Sequence, residues 1–482
     1  MNFKILSSLF LSLLIFFALI CARGQQWSDP STIYVGGGND YPDFTIDNQG
    51  IIHCVWAHEI TNYHYKIYYS KSTDDGISWT PAQDISLNDT FWLYTPKIET
   101  DNLGHLFVTY TNDDNMHIYF QQFDGNSWSC PQLLSEGLPG SHHNRTIIDN
   151  YNRFYCFWFW NYDGMIYYRY YENGTWSPIH YPFNSPDHFF FAYAVCDTEN
   201  VLHCIGTHHF DGETSDDDRT IYFTNSNDVW SDFTQISDNT SWTSGIDVRS
   251  DNAPIALWRE KINDSPSTVG TMVSDCDNGI WTPPELIVIN ADNFLSTQNE
   301  ALIIDTNDNV HIVSNVQLDN IYKVIEYQKV GNEWEGQDIE TDNYRFWRIK
   351  LKSKGSILHM TYIKIDTSVM NQTETRILYR RKDVISGTSQ PKQHLQLDLI
   401  PNPSSGEVMI RFEYPRKDPV NIGIFDMKGK LIRTFTPGEV SLIKNEIIWD
   451  GKDPSGRKVS AGSYLVRLTI GNRFISKKMI IR

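Results

Sequence analysis

The chain has 482 residues, 40% of them hydrophobic and 14% aromatic, and a formal charge of −19. That length leaves room for two or three domains. An acidic balance of this size repels nucleic-acid backbones and anionic lipid, so an anionic ligand needs a local basic pocket.

The N-terminus opens with a positive charge at Lys4, followed by an apolar run from Ile5 to Ile20. Ala22, Arg23 and Gly24 then offer the small-residue spacing read by a signal peptidase. A run of about sixteen residues falls short of the roughly twenty that span a bilayer. Bulky Ile20 argues against a lipid anchor on Cys21. The expectation is a secretory signal over 1–24, a mature start near Gln25 and no transmembrane segment in the mature chain. Six cysteines then remain: Cys54, Cys130, Cys156, Cys196, Cys204 and Cys276. Disulfides are permitted in an exported chain, and Cys196 and Cys204 flank a short turn. Cys54, Cys156 and Cys204 nonetheless occupy matching repeat positions, which reads as small buried apolar residues.

From Trp27 to Val384 the chain repeats with a period of roughly 48 to 55 residues, a spacing that signals propeller blades. Each unit has a strand ending in a turn acid (Asp47, Asp101, Asp149, Asp197, Asp305), then a second strand. A third strand follows, such as Ile67-Tyr68-Tyr69 or Ile166-Tyr167-Tyr168, and then a Trp and a fourth strand. The last unit ends at Ile377-Leu378-Tyr379 without its Trp or fourth strand. Those pieces stand at the other end of the chain, at Trp27 to Tyr34, so an early strand is expected to complete the last blade and close the ring. Counted this way, residues 25–384 form seven blades, and the Gly/Ser/Thr/Pro-rich stretch 385–394 is a linker.

Ser72-Thr73-Asp74-Asp75-Gly76-Ile77-Ser78-Trp79 matches the pattern S-x-D-x-G-x-x-W, and Asp124 to Trp128 and Asp277 to Trp281 are looser versions. The segment therefore resembles the sialidase-like, Asp-box (BNR-repeat) propellers. That resemblance implies fold, because Asp boxes are structural turns. Sialidases carry six blades rather than seven, and seven-bladed relatives include polysaccharide lyases and non-catalytic glycan binders.

Turns after the first and third strands share one face and are short. Loops between second and third strands and between repeats share the other, where function on a rigid scaffold concentrates. Those loops supply Trp92, Tyr94, Arg145, His188, Arg259 and Arg345 as candidate substrate-binding residues, with His143 and His208 as candidate catalytic residues. Aromatic faces stack on sugar rings, Arg grips a carboxylate with two parallel hydrogen bonds, and His moves protons near neutral pH. His53, His203, His311 and His359 recur at one strand position and read as structural. Adjacent histidines on extended chain point oppositely, so His142-His143 and His208-His209 are not expected to bind metal. Asp216 to Asp218 matches no calcium-loop spacing, and no cofactor is expected.

The functional expectation is a secreted or cell-surface protein recognising extracellular glycans. Alternatives are a uronate lyase using His143, Arg145, His208 and Arg259, and a sialidase with Arg145, Arg259 and Arg345 as its arginine triad. Against the latter, Tyr41-Pro42-Asp43-Phe44-Thr45 lacks the Phe-Arg-Ile-Pro-like start of sialidases.

Beyond the linker come Leu399-Ile400-Pro401-Asn402-Pro403, Ile424-Phe425-Asp426-Met427-Lys428-Gly429, Trp449-Asp450-Gly451 and Ala461-Gly462-Ser463-Tyr464, ending at Lys477-Lys478-Met479-Ile480-Ile481-Arg482. Residues 395–482 look like the type A C-terminal sorting domain of the type IX secretion system. The resemblance implies a small Ig-like β-sandwich, contact with that machinery, export across the outer membrane, and in many cases later removal. This segment has 15 basic and 9 acidic residues, leaving the rest of the mature chain at about −27.

Overall fold

The computed structural model describes residues 26–482 apart from 62–63, 87–91, 161–163, 184–187, 210–217, 265–266, 278, 291–299, 319–320, 332, 367–373, 385–394, 414–419, 428–429, 436–444 and 472. The signal segment, the linker, and Asp216 and Asp217 lie outside these residues. The described chain is all-β, and among the described residues there is no helix long and apolar enough to cross a membrane.

Up to Asp383 the strands form seven successive antiparallel sheets, each built outward from a first strand. The first strands are Asn39–Ile46, Leu93–Thr100, Ser141–Ile148, His188–Cys196, Ser241–Val248, Glu300–Ile304 and Arg345–Lys354. Each touches the next, and the seventh touches the first, so they surround a common axis. The apolar residues between neighbouring sheets form separate clusters rather than one core, for example Val55, Ile67, Ile98 and Tyr110 between sheets one and two. Every second strand buries nearly all its side chains because both faces are covered.

The outermost strand of sheet seven is Ser31–Gly37, from the other end of the chain. It pairs antiparallel with Glu374–Asp383, placing Ser31 opposite Tyr379 and Gly37 opposite Glu374. This is the junction that the truncated last repeat requires. Trp27 donates its indole N–H to Glu326 at 3.0 Å, and Arg380 donates to the Ser28 carbonyl at 2.6 Å.

On one face the turns after the first strands link sideways. Asn48 donates to the Asn102 carbonyl, the Asn102 N–H to Asn152, the Asn150 N–H to Asn200, the Thr198 N–H to Asn252 and the Ser250 N–H to Asp308. Lys354 returns to Asn48 at 3.1 Å. Asn152, Asn200, Asn252 and Asp308 have positive φ, which Asn and Asp tolerate better than most residues. Behind them His53, His203 and His311 each span from the turn acid to a third-strand side chain, as Asp47–His53–Tyr69 shows at 3.3 and 2.8 Å. His359 bonds Tyr379 at 2.6 Å. All four are buried structural struts.

The six cysteines are free, with Cys54, Cys156, Cys204 and Cys276 buried. Cys204 faces Ala194, and Cys196 faces Leu202, so the two thiols are not cross-strand partners. In the Asp box, Asp74 accepts from Ser72 at 2.8 Å and from the Ser78 N–H at 2.9 Å. Hydrogen bonds led by that of Ser78 bring its carboxyl down to about 2.

The C-terminal segment forms two sheets around one apolar core that includes Val408, Ile422, Trp449, Val466 and Leu468. One sheet holds Gln396–Ile400, Val408–Glu413 and Glu446–Trp449. The other holds Val420–Asp426, Leu431–Phe435, Gly462–Ile470 and Arg473–Ile481, and it continues sheet six.

Gly76 has φ +81°, and a Cβ there would lie 1.9 Å from the Tyr379 ring of the closing strand pair. Gly125 occupies the matching turn of the next repeat with φ +94° and open space around it. Both alanine substitutions incur the φ penalty, but only Gly76→Ala also displaces Tyr379. Urea unfolding is expected to find Gly76→Ala less stable than Gly125→Ala by about 1–3 kcal/mol.

Candidate active site

The strand register sets seven side chains at equivalent places around the axis. Asp43, Lys97, Arg145, Tyr193, Gly245, Ala301 and Lys350 pair with Val55, Thr109, Phe157, Ile205, Leu257, Val313 and Thr361 of their second strands. Five of the seven are polar and long enough to reach inward, and three of these are cationic. Gly245 and Ala301 leave the opposite arc uncrowded.

Two residues before four of these positions the backbone is left-handed: Tyr41 (φ 53°), Thr95 (49°), His143 (57°) and Arg348 (55°). Each lies where the strand register shifts. Bulges of this kind bend a strand end and re-aim its side chains, and positive φ at such residues is strain that the surrounding sheet must hold. They form a second tier nearer the loop face.

Across the two tiers the partners are specific. Arg348 holds Asp40 with two hydrogen bonds, of 2.8 and 3.2 Å, and its guanidinium sits 3.9 Å from the Tyr41 ring centroid. Arg145, buried, donates to the Asn144 carbonyl at 3.0 Å and lies 5.0 Å from the Tyr193 ring centroid. Lys97 donates to the Pro96 carbonyl at 2.9 Å, and Asp43 accepts the Ile98 N–H at 3.1 Å. One tier deeper, Lys352 pairs with Glu99 at 2.8 Å.

Crowded, enclosed cations shift one another. Burial lowers the Lys97 ammonium well below its ordinary value; Asp43 opposes this, while Lys350, Arg145 and Arg348 add to it. Lys350 is lowered for the same reasons, with Tyr193 and Asp43 opposing. Burial drives His143 down to about 3, helped by His142, Arg145, Arg348 and Lys97, so it is neutral at physiological pH. Tyr193 moves in the unusual direction. Burial raises its phenol, but Arg145, Lys350 and Arg348 outweigh that and leave it below its ordinary value. The cations that lower the Tyr193 phenol stabilise negative charge on its oxygen.

Aromatic rings continue from this mouth toward the outside. Tyr94 meets Tyr41 edge-on at 6.2 Å and is tilted against Tyr65 at 4.6 Å, and Trp92, two residues before Tyr94, is exposed. His142 contacts His143 at 4.4 Å.

The sequence-derived candidates thus separate. His143, Arg145 and Tyr94 belong to this mouth, and Trp92, exposed, directly precedes the strand that carries Tyr94. His208 is 1% exposed, stacked on Phe189 at 4.6 Å and edge-on to Phe233 at 4.9 Å, inside an aromatic layer. Arg259 is buried against Glu300 at 3.1 Å. Arg345 donates to the Tyr322 hydroxyl at 3.3 Å. His188 begins the first strand of sheet four, with its backbone opposite His209. Lys97, Tyr193, Arg348 and Lys350 were not singled out from the sequence. The missing signal is positional: Asp43, Lys97, Arg145 and Tyr193 each stand four residues before a turn acid, Asp47, Asp101, Asp149 and Asp197. Among the described residues no group of three or more His, Cys, Asp or Glu is placed to hold a metal ion.

Residues 398–482 match the family described as the secretion system C-terminal sorting domain. This domain marks type IX secretion, with export to the cell surface or extracellular space. No curated protein matches the chain. Among solved structures, the polysaccharide lyase PL25 ulvan lyase aligns with a TM-score of 0.56 at 11% identity, covering 72% of this chain and 95% of that one. The same lyase bound to -[GlcA(1-4)Rha3S]- aligns with a TM-score of 0.56 at 10% identity over the same shares. The polysaccharide lyase Uly1 aligns with a TM-score of 0.50 at 9% identity, covering 75% of this chain and 92% of that one. At these identities the likeness is one of fold, and these neighbours are β-propeller glycan enzymes.

Removing the Arg348 charge relieves the repulsion that His143 feels. The imidazole of an Arg348→Ala variant is expected to titrate at higher pH than that of the unmodified protein, measured by NMR; an unchanged titration would break the proposed electrostatic link.

Proposed function

We propose that the protein is an exported seven-bladed β-propeller, followed by an Ig-like sorting domain, that binds an acidic polysaccharide at its axis and cleaves it by β-elimination at a uronate. The observation that supports this reading is the cluster of Lys97, Arg145, Arg348 and Lys350, with Arg145 5.0 Å from the Tyr193 ring centroid and Arg145, Lys350 and Arg348 lowering that phenol's pKa. In a chain of charge −19, four converging cations concentrate an anion where the average field repels one.

The chemistry follows from those groups. Arg145, assisted by Lys350, neutralises the sugar carboxylate, which makes the C–H bond on the adjoining carbon acidic. Tyr193, as phenolate, accepts that proton. The C–H electron pair becomes the new carbon–carbon double bond as the bond from the next carbon to the glycosidic oxygen breaks. The departing oxygen takes a proton from the Tyr193 phenol, which returns Tyr193 to phenolate; where water protonates it instead, the hydroxide so formed removes the phenol's proton. His143, held neutral by burial and by the same charges, is a hydrogen-bonding group in the mouth rather than a base. Tyr94 and Trp92 offer ring faces to a neighbouring sugar.

The glycan recognition expected from the sequence is retained as the binding step. The fold neighbours named as polysaccharide lyases, one of them bound to a glucuronate-containing chain, support a uronate polymer as the ligand class. A sialidase arrangement finds less support, since Arg259 pairs with Glu300 and Arg345 with Tyr322, and neither is among the charges that act on Arg145's neighbours Tyr193, Lys97 and His143.

The test is a panel of ulvan, alginate, pectate and neutral polysaccharides incubated with the purified protein. Elimination yields an ultraviolet-absorbing unsaturated uronate; reducing ends without that absorbance would indicate hydrolysis, and affinity without turnover a binder. Neither binding nor turnover would end the carbohydrate reading. Tyr193→Phe is expected to lower turnover by about a hundred- to ten-thousand-fold with polymer binding retained. Since the phenolate is the active form, the rate should climb as pH rises through the Tyr193 pKa and level off above it. That midpoint should lie below the ordinary phenol value of about 10.

A further inference from the structure

The C-terminal domain is seated on the ring by a strand pairing. Its last strand, Arg473–Ile481, adds antiparallel to Glu333–Asp342, the outer strand of sheet six. Glu335 faces Ile475, Gly336 faces Phe474 and Gln337 faces Arg473. Phe474 is buried in the apolar cluster of sheets five and six, edge-on to Tyr327 at 6.0 Å. Gly336 provides the space, because a Cβ at that position would lie 2.1 Å from the Phe474 ring. Arg467 lies 4.5 Å from the same ring centroid, and burial lowers its pKa. Around this socket Glu335 accepts from the Leu395 N–H at 3.1 Å and from Arg473, and Glu333 pairs with Lys477 at 3.0 Å.

We propose that this socket makes the sorting domain a non-covalent partner of the ring, so that cutting the chain within 385–394 does not release it. Three features carry the proposal. The added strand satisfies the N–H and C=O groups of a sheet edge, which is how extended segments bind sheets generally. An aromatic side chain in a glycine-walled pocket is the kind of anchor that dominates interface energetics. The charges are complementary, since a domain with 15 basic and 9 acidic residues presents Arg473 and Lys477 to Glu335 and Glu333 of the acidic ring. In the intact chain the docking is intramolecular; after a cut it must survive as a bimolecular contact, which the socket and ion pairs have to sustain.

The experiment places a site-specific protease sequence within 385–394 of the full chain, cuts it, and follows the two pieces by size-exclusion chromatography over a dilution series. Co-elution is expected for the otherwise native sequence, and separation for Phe474→Ala and for Gly336→Val. Tryptophan fluorescence of the ring checks that each uncut variant is folded. Should Gly336→Val fail to fold, Phe474→Ala decides alone, because it alters only the docked strand. Separation of the native pieces on cutting, or persistent co-elution of the variants, would overturn the proposal.

Discussion

The pairing of Ser31–Gly37 with Glu374–Asp383 is the constraint on which the other contacts depend. A stack of sheets with open ends would leave two first strands with a single neighbour each. Joining the two ends of the repeat region in one sheet gives every first strand two neighbours and fixes the distance across the axis. Arg348 meets Asp40 and Lys352 meets Glu99 only because sheet seven is brought against sheets one and two. Tyr379 packs on Gly76 and Trp79 at the same junction, so the Asp box is also part of the closure.

The two faces of the ring handle backbone strain differently. On the turn face, left-handed Asn and Asp residues are cheap, and their side chains link one sheet to the next. On the loop face, left-handed conformations fall on His143 and also on Tyr41, Thr95 and Arg348, residue types for which they are costly. Those are the residues that surround the cationic mouth. The strain is carried by sheets braced on the far side.

Gathering four cations in a partly enclosed space is unfavourable in itself. The protein relieves part of this with Asp40 and Asp43 and part by lowering the proton affinity of Lys97 and Lys350. A bound carboxylate or an ionised Tyr193 relieves more. Under the proposed function, the same repulsion among the cations becomes attraction for an anionic sugar.

Much of this was written in the sequence. Alternating apolar strands, the recurring turn acids, a last repeat lacking its final strand, and an orphan segment at Trp27 together specify an all-β repeat region whose ends meet, because each unpaired piece has one complementary partner. The C-terminal motifs likewise specify export. Which polar side chains share a pocket was not legible to the same degree. His208 and Arg259 looked as available as His143 and Arg145, yet one enters an aromatic layer and the other is neutralised by Glu300. A one-residue bulge decides which way a side chain points, and Arg348 meets a partner 308 positions away. Local pattern determined strands, turns and destination. Only the closed tertiary arrangement decided the charge environment of the axis, because that environment sums contributions from sheets far apart along the chain.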